Sequence, residues 1–325
     1  MPRKKIYAAM TGGFGSLAQV LPVLEALPRD EYQVVYSIHT SAGSAIRSLG
    51  GELFPYPDVG KPGLYSPPGR LWCDLDHYWS RFGYADRKYF FRLMESRLAL
   101  LEHIQPDVLL AQFCPPTEVM ARVTGIPLIS FTQSCWHPKG KSLTWWEPKQ
   151  ADYPRPTPVV NAFLTAHGKA PIARMEELSV GDLTMVAGIP EFDPIADPRV
   201  NYLGLMPWNS AGQVARASCT GNKAAIVVYT GHLKDSGGES GELILRNAIA
   251  AFSTTKAPVV ISTGLGQVLP DLGILPEHIS VHSWVDVDGL LANAQLFIHH
   301  GGHGSCMAAL RHRVPSLIIP TFQER

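Results

Sequence analysis

Apolar residues along this chain follow two patterns that alternate. Short runs rich in β-branched and aromatic residues predict buried strands. Between these runs, apolar residues recur every three or four positions, which predicts amphipathic helices; Leu17, Val20, Leu21, Leu24 and Leu27 are an example. A strand followed by a helix and then by another strand is typical of the α/β class with parallel sheets.

The predicted elements form two successive α/β series. In the first, strands are predicted at 5–10, 33–39, 105–112, 127–132 and 182–187, with helices after Leu17 and at 44–49, 85–104 and 117–124. In the second, strands are predicted at 224–229, 258–263, 279–282, 295–298 and 316–319, with helices at 239–252, between 284 and 295, and through 306–310. Each series therefore predicts a doubly wound sheet with ligands beyond the carboxyl ends of its strands.

A length of 325 residues fits two domains. We predict an N-terminal Rossmann-like domain at 1–206, a polar linker at 207–222 and a C-terminal Rossmann-like domain at 223–325. Two stretches follow neither period, 55–80 and 135–146. Both are rich in aromatic residues and predict long loops, which in compact domains are often functional. The alternative is a surface loop whose aromatic side chains pack onto the core.

Composition excludes several classes of function. Apolar residues make up 46% and charged residues 17% of the chain, with a formal net charge of zero, so a basic field for nucleic acid is absent. No apolar run approaches the roughly 20 residues of a membrane span. The chain enters a strand almost at once, which predicts no signal peptide. The five cysteines have no paired spacing and predict free thiols in a reducing cytoplasm.

One stretch near the C-terminus carries the clearest chemistry. A short strand leads into His300, Gly301 and Gly302, and a new helix begins with Gly304 and Ser305 in its first turn. A strand–turn–helix junction of this kind directs unpaired backbone N–H groups and the positive end of the helix dipole at one point. Glycines let a phosphate approach the backbone closely, so the sequence predicts an anion site here.

The order of residues around this turn resembles the donor-binding signature of GT-B glycosyltransferases. Trp284 is followed by a helix, a strand, a His-x-Gly-x-x-Ser motif, Val-Pro, an apolar strand and an acidic residue. The resemblance is closest to the group that contains UDP-glycosyltransferases and antibiotic (macrolide-type) glycosyltransferases. It implies two Rossmann-like domains that face each other across a cleft, and transfer of a sugar from a nucleoside-diphosphate donor to a hydrophobic small molecule.

The resemblance also implies roles for individual residues. Trp284 would stack on the nucleobase, His300, Gly302 and Ser305 would hold the diphosphate, and Glu324 would bind sugar hydroxyls. Gly231, Gly301 and Gly304 are further candidates for the donor site. Acceptor-binding candidates in the aromatic loops are Trp72, Asp76 and Trp136. The resemblance implies no metal and no cofactor besides the nucleotide-sugar co-substrate.

The chain departs from the family at the catalytic base. Inverting members carry a His three residues before a proline of the first helix, and an Asp after the third strand orients it. The matching positions here are Gln19 and Gln112. An amide has no useful basicity near neutral pH and cannot act as a general base. No His or acidic residue occurs from Lys5 to Leu24. A substitute base could come from Asp74, Asp76 or His77, although a solvated loop is the simpler interpretation of these three.

Two further departures concern the donor and the chain end. Family members that hold both ribose hydroxyls use a Gln and a Glu at positions that are Val287 and Ala308 here, which favours a dTDP-sugar or relaxed choice between dTDP and UDP. The chain stops soon after its last predicted strand, so we expect a sequence truncated at the C-terminus. A longer form should be more stable.

Three alternatives remain open from the sequence. A non-catalytic helper protein with a GT-B cleft would explain the Gln pair. A match of Gly13, Gly15 and Ala18 to the dinucleotide fingerprint would suggest an NAD enzyme, but the second strand does not end in an acidic residue. His299, His300 and His303 could suggest a metal, but adjacent strand residues point to opposite faces.

Overall fold

The computed structural model describes most of the chain. The described residues are 2–11, 14–38, 43, 46–47, 51–54, 58–65, 74–143, 153–206, 226–234, 239–264 and 267–321. They form two compact units, one with residues up to Met206 and one with residues from Ile226 onward. The predicted linker, most of the predicted helix at 44–49, and the candidate residues Trp72 and Glu324 lie outside the described residues.

The first unit contains seven strands and five α-helices among its described residues. The strands are β1 (Lys4–Met10), β2 (Tyr32–Ile38), β3 (Glu52–Leu53), β4 (Val108–Gln112), β5 (Leu128–Phe131), β6 (Leu183–Val186) and β7 (Val200–Tyr202). The helices are α1 (Phe14–Glu25), α2 (Leu75–Ser80), α3 (Arg87–Ile104), α4 (Pro115–Thr124) and α5 (Pro156–Ala166), with 3₁₀ turns at Ser134–Trp136 and Met175–Ser179.

The sheet of the first unit is parallel, with the strand order β3-β2-β1-β4-β5-β6-β7. The chain moves outward from β1 to β3 and then returns to place β4 beside β1. In an open α/β sheet, this reversal of direction leaves a crevice at the carboxyl ends of the two central strands. In β1 and β4, the residues paired at that end are Met10 and Gln112.

The second unit contains five strands and three α-helices among its described residues. The strands are β8 (Ile226–Tyr229), β9 (Val259–Ser262), β10 (Ile279–His282), β11 (Leu296–His299) and β12 (Ser316–Ile318). The helices are α6 (Ser240–Phe252), α7 (Val287–Leu291) and α8 (His303–His312).

The sheet of the second unit repeats the same topology. Its order is β10-β9-β8-β11-β12, and the paired strands are parallel. The reversal lies between β8 and β11, where Tyr229 pairs with His299. The residues that come after these two strands are therefore the ones placed at the crevice of the second sheet.

The second sheet is buried on both faces, as parallel sheets are. Val227 and Phe297 face a cluster that includes residues of α7 and α8, whereas the neighbouring Val228 and Ile298 face a cluster that includes residues of α6. This alternation follows from the two-residue period of a strand. Because both faces of these strands are buried, β8 and β11 appear in the sequence as near-continuous apolar runs. At the edge, β12 differs, because Leu317 is 51% exposed and Ile318 is 45% exposed.

The sequence predictions missed the short strands β3 and β7 and the two helices α2 and α5. The predicted loop at 55–80 ends in the helix α2, whose first N–H groups are capped by Asp74, which accepts from the His77 amide at 2.8 Å. The helix α5 lies where no element was predicted, and it begins with a proline at its first position. Proline is compatible with that position because its missing N–H would have no partner there.

No helix in the described ranges combines the length and the apolar character that a bilayer crossing would require.

Candidate functional site

The turn after β11 buries His300 beside Tyr229 and two glycines. Only 6% of the His300 side chain is exposed, and its ring meets the Tyr229 ring edge to face at 5.3 Å between centroids. Gly301 follows with a φ of +90°, a conformation that glycine adopts without strain. The imidazole is therefore held at the carboxyl ends of β8 and β11, the crevice of the second sheet.

Two glycines leave the space that the His300 ring occupies. A Cβ added at Gly302 would lie 2.6 Å from Nε2 of His300, and one added at Gly231 would lie 3.1 Å from its Nδ1. Gly231 also has a φ of +72°. A side chain at either position would therefore crowd one imidazole, which helps to explain these glycines in addition to any ligand that the turn binds.

The helix α8 begins directly beyond this turn. Its N-cap is Gly302, whose carbonyl accepts from the amides of Ser305 and Cys306 at 2.9 and 3.1 Å. The first N–H groups of a helix have no carbonyl acceptor within it. Gly304 is exposed, and nothing lies within 4 Å of a Cβ built on it, so the backbone is open to approach at this point. The geometry fits an anion at the positive end of the helix.

His299 supports the turn from inside the sheet. Its side chain is fully buried, and its Nδ1 accepts from the Gly301 amide at 3.1 Å. The neutral ring must then carry its proton on Nε2, which has no hydrogen-bond partner among the described residues. Burial lowers the pKa of His299 to about 4. His299 is therefore neutral at physiological pH and fixes the conformation of Gly301.

Trp284 lies between β10 and α7, and its side chain is half-buried. The helix after it starts at an N-cap, Asp286, which accepts from the Gly289 amide at 3.1 Å. The two positions that lack ribose-binding residues belong to the apolar core. Ala308 is buried in it, and Val287 packs against it.

In the first unit, the structure brings Gln19 and Gln112 together. Gln112 ends β4, and Gln19 lies on α1, which follows β1. Nε2 of Gln112 donates to Oε1 of Gln19 at 3.4 Å. The side chains are 8% and 1% exposed for Gln19 and Gln112. The two candidate catalytic residues thus form an amide pair at the crevice of the first sheet, while their role in catalysis stays a prediction.

Aromatic rings lie directly beside this amide pair. Phe113 follows Gln112 and has a φ of +49°, a left-handed conformation that is uncommon for a bulky residue. Its ring stacks on Trp136 with 3.8 Å between centroids and 15° between planes, and Tyr78 lies 5.1 Å away. All three side chains are half-buried. The acceptor candidate Trp136 therefore contacts the residue next to Gln112.

The interpretation of Asp74, Asp76 and His77 as part of a solvated loop is wrong. Asp76 and His77 lie on α2, and His77 is 3% exposed and stacks on Tyr153 at 4.4 Å. The Tyr153 hydroxyl donates to Asp74 at 2.6 Å. Burial lowers the pKa of His77.

The acceptor candidate Asp76 is tied to the start of α5. Its Oδ1 accepts from the backbone amide of Thr157 at 2.8 Å, and the Thr157 hydroxyl lies 2.8 and 2.9 Å from its two oxygens. Burial raises the pKa of Asp76, and these hydrogen bonds oppose that rise. The contacts join α2 to α5, so they explain Asp76 by packing as well as by its predicted role.

Among the residues that the structure describes, no group of three or more His, Cys, Asp or Glu side chains is arranged to hold an ion.

Sequence reasoning missed three residues that shape these sites. Tyr229 contacts His300, His299 holds the Gly301 amide, and Phe113 joins Gln112 to Trp136. Each one immediately follows or ends a central strand, and that position was a signal in the sequence. The left-handed conformation of Phe113 left no such signal, because glycine or asparagine is the usual residue there.

Comparisons with known proteins identify relatives of both units. Residues 247–325 match the family described as erythromycin biosynthesis protein CIII-like, C-terminal domain. Demethyllactenocin mycarosyltransferase of Streptomyces fradiae is 33% identical over 25% of this chain and 18% of its own length. Oleandomycin glycosyltransferase of Streptomyces antibioticus is 24% identical over 66% of this chain and 52% of its own length. The chain thus matches about half or less of the length of these relatives.

Solved structures extend the likeness to nearly the whole chain. The calicheamicin glycosyltransferase CalG4 superposes with a TM-score of 0.66 at 18% identity, covering 98% of this chain and 80% of that one. The glycosyltransferase VinC in complex with dTDP has a TM-score of 0.63 at 19% identity, covering 97% and 81%. These likenesses confirm the predicted α/β GT-B fold. Together with the sequence relatives, they confirm the resemblance to antibiotic glycosyltransferases.

Proposed function

We propose that this protein is a glycosyltransferase that moves a sugar from a nucleoside-diphosphate donor to a hydroxyl of a hydrophobic small molecule. The observation that carries the proposal is the His300 turn, where glycines and a helix N-terminus form an anion site at the crevice of the second sheet. Support also comes from the sequence relatives, which are named glycosyltransferases of antibiotics.

The donor site lies in the second unit. Trp284 stacks on the base, and His300, Ser305 and the first amides of α8 bind the diphosphate. Ala308 and Val287 offer no hydrogen bond to ribose hydroxyls, since both side chains are apolar. We therefore assign a dTDP-sugar as the preferred donor, with UDP-sugars as weaker substrates. Two of the similar structures, VinC and SsfS6, were solved with thymidine diphosphate.

The chemistry is a direct displacement with inversion. The acceptor oxygen attacks the anomeric carbon while the bond from that carbon to the diphosphate oxygen breaks. Negative charge grows on the leaving diphosphate, and preorganised N–H groups with His300 stabilise it as it forms. These groups supply what a metal ion supplies in other transferases, so the proposed reaction is metal-independent. The acceptor binds to the first unit, beside the half-buried rings of Phe113 and Trp136.

Calorimetric titration with dTDP, UDP and NAD tests the proposal first. We expect dTDP to bind, UDP to bind more weakly and NAD not to bind. A turnover assay with dTDP- and UDP-sugars and a panel of phenols and alcohols tests the transfer itself. Nucleotide binding without any transfer would contradict the activity and favour a non-catalytic helper protein. Binding of NAD alone would contradict the donor site.

His300→Ala tests the donor site directly. We expect the affinity for dTDP to fall by about 1.5–3 kcal/mol, the range for a hydrogen bond to a charged group. A matched control is His278→Ala in the same unit, because His278 precedes the amino end of β10 and its Nε2 contacts the Phe252 carbonyl at 2.9 Å. The control should bind dTDP as the parent does. Unchanged affinity in His300→Ala would remove the central assignment.

A further inference from the structure

The amide pair of Gln19 and Gln112 leaves one buried hydrogen-bond acceptor without a partner among the described residues. Gln112 donates to Gln19 at 3.4 Å, yet Oε1 of Gln112 has no hydrogen-bond partner within the part of the chain that the structure describes. Gln112 is only 1% exposed, so water does not solvate this oxygen freely. A buried acceptor without a partner is costly and needs an explanation. A ligand that hydrogen-bonds the pair would provide one.

An amide pair can hold a hydroxyl in both of its protonation states. In the observed orientation, Oε1 of Gln112 can accept from a neutral hydroxyl. If both amides rotate by half a turn, Gln19 donates to Gln112, and the N–H groups of Gln112 then face the ligand and can donate to an oxyanion. The pair therefore suits a group that is bound as a hydroxyl and reacts as an anion. It cannot remove the proton, because neither amide is basic.

Half-buried aromatic side chains lie next to the pair. Phe113 is adjacent to Gln112 in the chain, and its ring stacks on Trp136 while Tyr78 packs nearby. The left-handed backbone of Phe113 carries a strain that side chains of its size rarely accept, and strain of this kind concentrates at ligand sites. Aromatic faces attract other aromatic rings in offset or edge-to-face arrangements.

We propose that the acceptor is a planar aromatic molecule whose reacting hydroxyl is phenolic or enolic and loses its proton to solvent before sugar transfer. This inference rests on the proposed function and adds the class of acceptor to it. Gln112 donates to the resulting oxyanion, Gln19 fixes the orientation of the Gln112 amide, and the stacked rings of Phe113 and Trp136 hold the aromatic system of the acceptor. An aliphatic alcohol, which stays protonated near neutral pH, is a poor substrate because no group at these two positions takes its proton.

The step balances without a protein base. The acceptor hydroxyl gives its proton to water or buffer, and the oxyanion forms a bond to the anomeric carbon with its own electron pair. The bond between that carbon and the diphosphate oxygen breaks, and its electron pair leaves with the nucleoside diphosphate. The negative charge thus moves from the acceptor to the diphosphate, where the anion site of the second unit binds it.

A series of substituted phenols with different acidities tests the proposal on the 325-residue protein. We expect kcat/KM for each phenol to rise with pH until the pKa of that phenol, so the midpoint should shift with the acceptor. Matched aliphatic alcohols should react at least about 100-fold more slowly, the lower range of general-base help that the site lacks. A single midpoint shared by all phenols would reveal a base on the protein and overturn the proposal, as would rapid transfer to the alcohols.

Failure of the proposed function would look different from failure of this inference. If the protein is not a glycosyltransferase, no acceptor is glycosylated at any pH. If only the inference is wrong, transfer occurs, but the pH midpoint of kcat/KM does not follow the pKa of the acceptor.

Gln19→Leu tests the amide pair at nearly constant volume. We expect kcat/KM for phenols to fall about 10- to 100-fold, the range for a hydrogen bond to a charged group, because Gln112 loses the partner that turns its N–H groups toward the oxyanion. The affinity for dTDP should stay unchanged, and each midpoint should remain at the pKa of the phenol. The matched control is Gln33→Leu, since Gln33 lies near the amino end of β2 and donates to Glu52 at 2.8 Å. The control should leave kcat/KM for phenols, the affinity for dTDP and the pH midpoints unchanged. An undiminished rate in Gln19→Leu would overturn the positioning role, and the phenol series remains decisive if that variant does not fold.

Discussion

The two sheets share a topology but differ in the residues that come directly after their central strands. In the first unit, the strand that ends at Gln112 continues into Phe113 with a φ of +49°. In the second, the strand that ends at His299 continues into His300 and then Gly301 with a φ of +90°. Both turns use the left-handed region, one with an aromatic residue and the other with glycine.

The next helices make the difference sharper. The helix α4 has prolines at its first two positions, which lack N–H groups, and it carries Glu118 in its first turn. The helix α8 begins with His303, Gly304 and Ser305, which all keep their N–H groups. A phosphate at the helix N-terminus is therefore disfavoured in the first unit and favoured in the second. The two units share a topology and differ in a few residues after the strands, and this difference agrees with the proposed aromatic acceptor in one unit and the proposed phosphate site in the other.

The largest expected effect comes from giving the first unit a base. Gln19→His with Gln112→Asp supplies an imidazole and a carboxylate that orients it, as in hydrolase triads. We expect transfer to aliphatic alcohols to rise by about 10²–10⁴-fold, the usual range for general-base help. The rate is measured on alcohols and phenols with dTDP- and UDP-sugars. A parent that is already fast on alcohols, and slower after Gln19→His, would show that residue 19 has been misaligned.

Acid should destabilise the second unit through His299. Its folded pKa of about 4 lies below the ordinary value of 6.5, so its contribution is fully present above pH 6.5 and is lost as the pH falls through 4. The loss amounts to about 3 kcal/mol. His299→Asn keeps an acceptor for the Gly301 amide and should remove this acid sensitivity. Hydrogen exchange in peptides from β8 and β11 is the measurement, and identical pH profiles in parent and variant would refute the assignment.

A rise in pH should destabilise the first unit through Glu118, and the expected loss of stability is similar to the loss expected for His299 in acid. The Glu118 side chain is 3% exposed, and burial raises its pKa from 4.5 to about 7, which Arg122 partly opposes. Its contribution is therefore fully present below pH 4.5 and is lost as the pH rises through 7, which is worth about 3 kcal/mol. Glu118→Gln should slow hydrogen exchange in β4 and α4 at pH 8 and leave it unchanged at pH 4. Equal exchange in parent and variant at pH 8 would contradict the buried carboxyl.

The smallest effect separates stability from binding at α8. Gly304→Ala adds a methyl group where nothing lies within 4 Å and improves helix propensity, so we expect unit two to gain up to about 1 kcal/mol. The same methyl group would stand where a phosphate approaches the backbone, so affinity for dTDP should fall. A variant that is more stable and binds dTDP as tightly as the parent would show that the phosphate does not approach the backbone at Gly304.

The strands were predictable because a buried parallel strand is a continuous apolar run. The strand β10 was predicted at its observed bounds, 279–282. The prediction for β4 began three residues early, because Gln105 has a φ of +50° and caps α3 instead of entering the sheet. The helix α5 was missed, since Pro156 and Pro158 interrupt its apolar period. The six residues of α2 are too few for a period to show.

The candidate sites were predictable where topology alone brings residues together. Gln19 and Gln112 meet because β1 and β4 are neighbours, which the doubly wound pattern implies. The closed contacts of Asp76 with Thr157 were not predictable, since they depend on α5, which had no clear signal. The packing of Gly231 against His300 depends on a loop conformation that no period in the sequence encodes.

The imidazole of His300 also constrains how this turn can change. It fills the volume that a side chain would need at both Gly231 and Gly302, so the three positions behave as one packing unit. A library scored for folding that varies residue 302 alone would therefore disfavour side chains there. A library scored for folding that varies residues 300 and 302 together would recover pairs in which a smaller side chain at 300 accompanies alanine at 302. We therefore expect residues 300 and 302 to change together. Residue 231 should stay glycine, because its backbone has a positive φ of +72°.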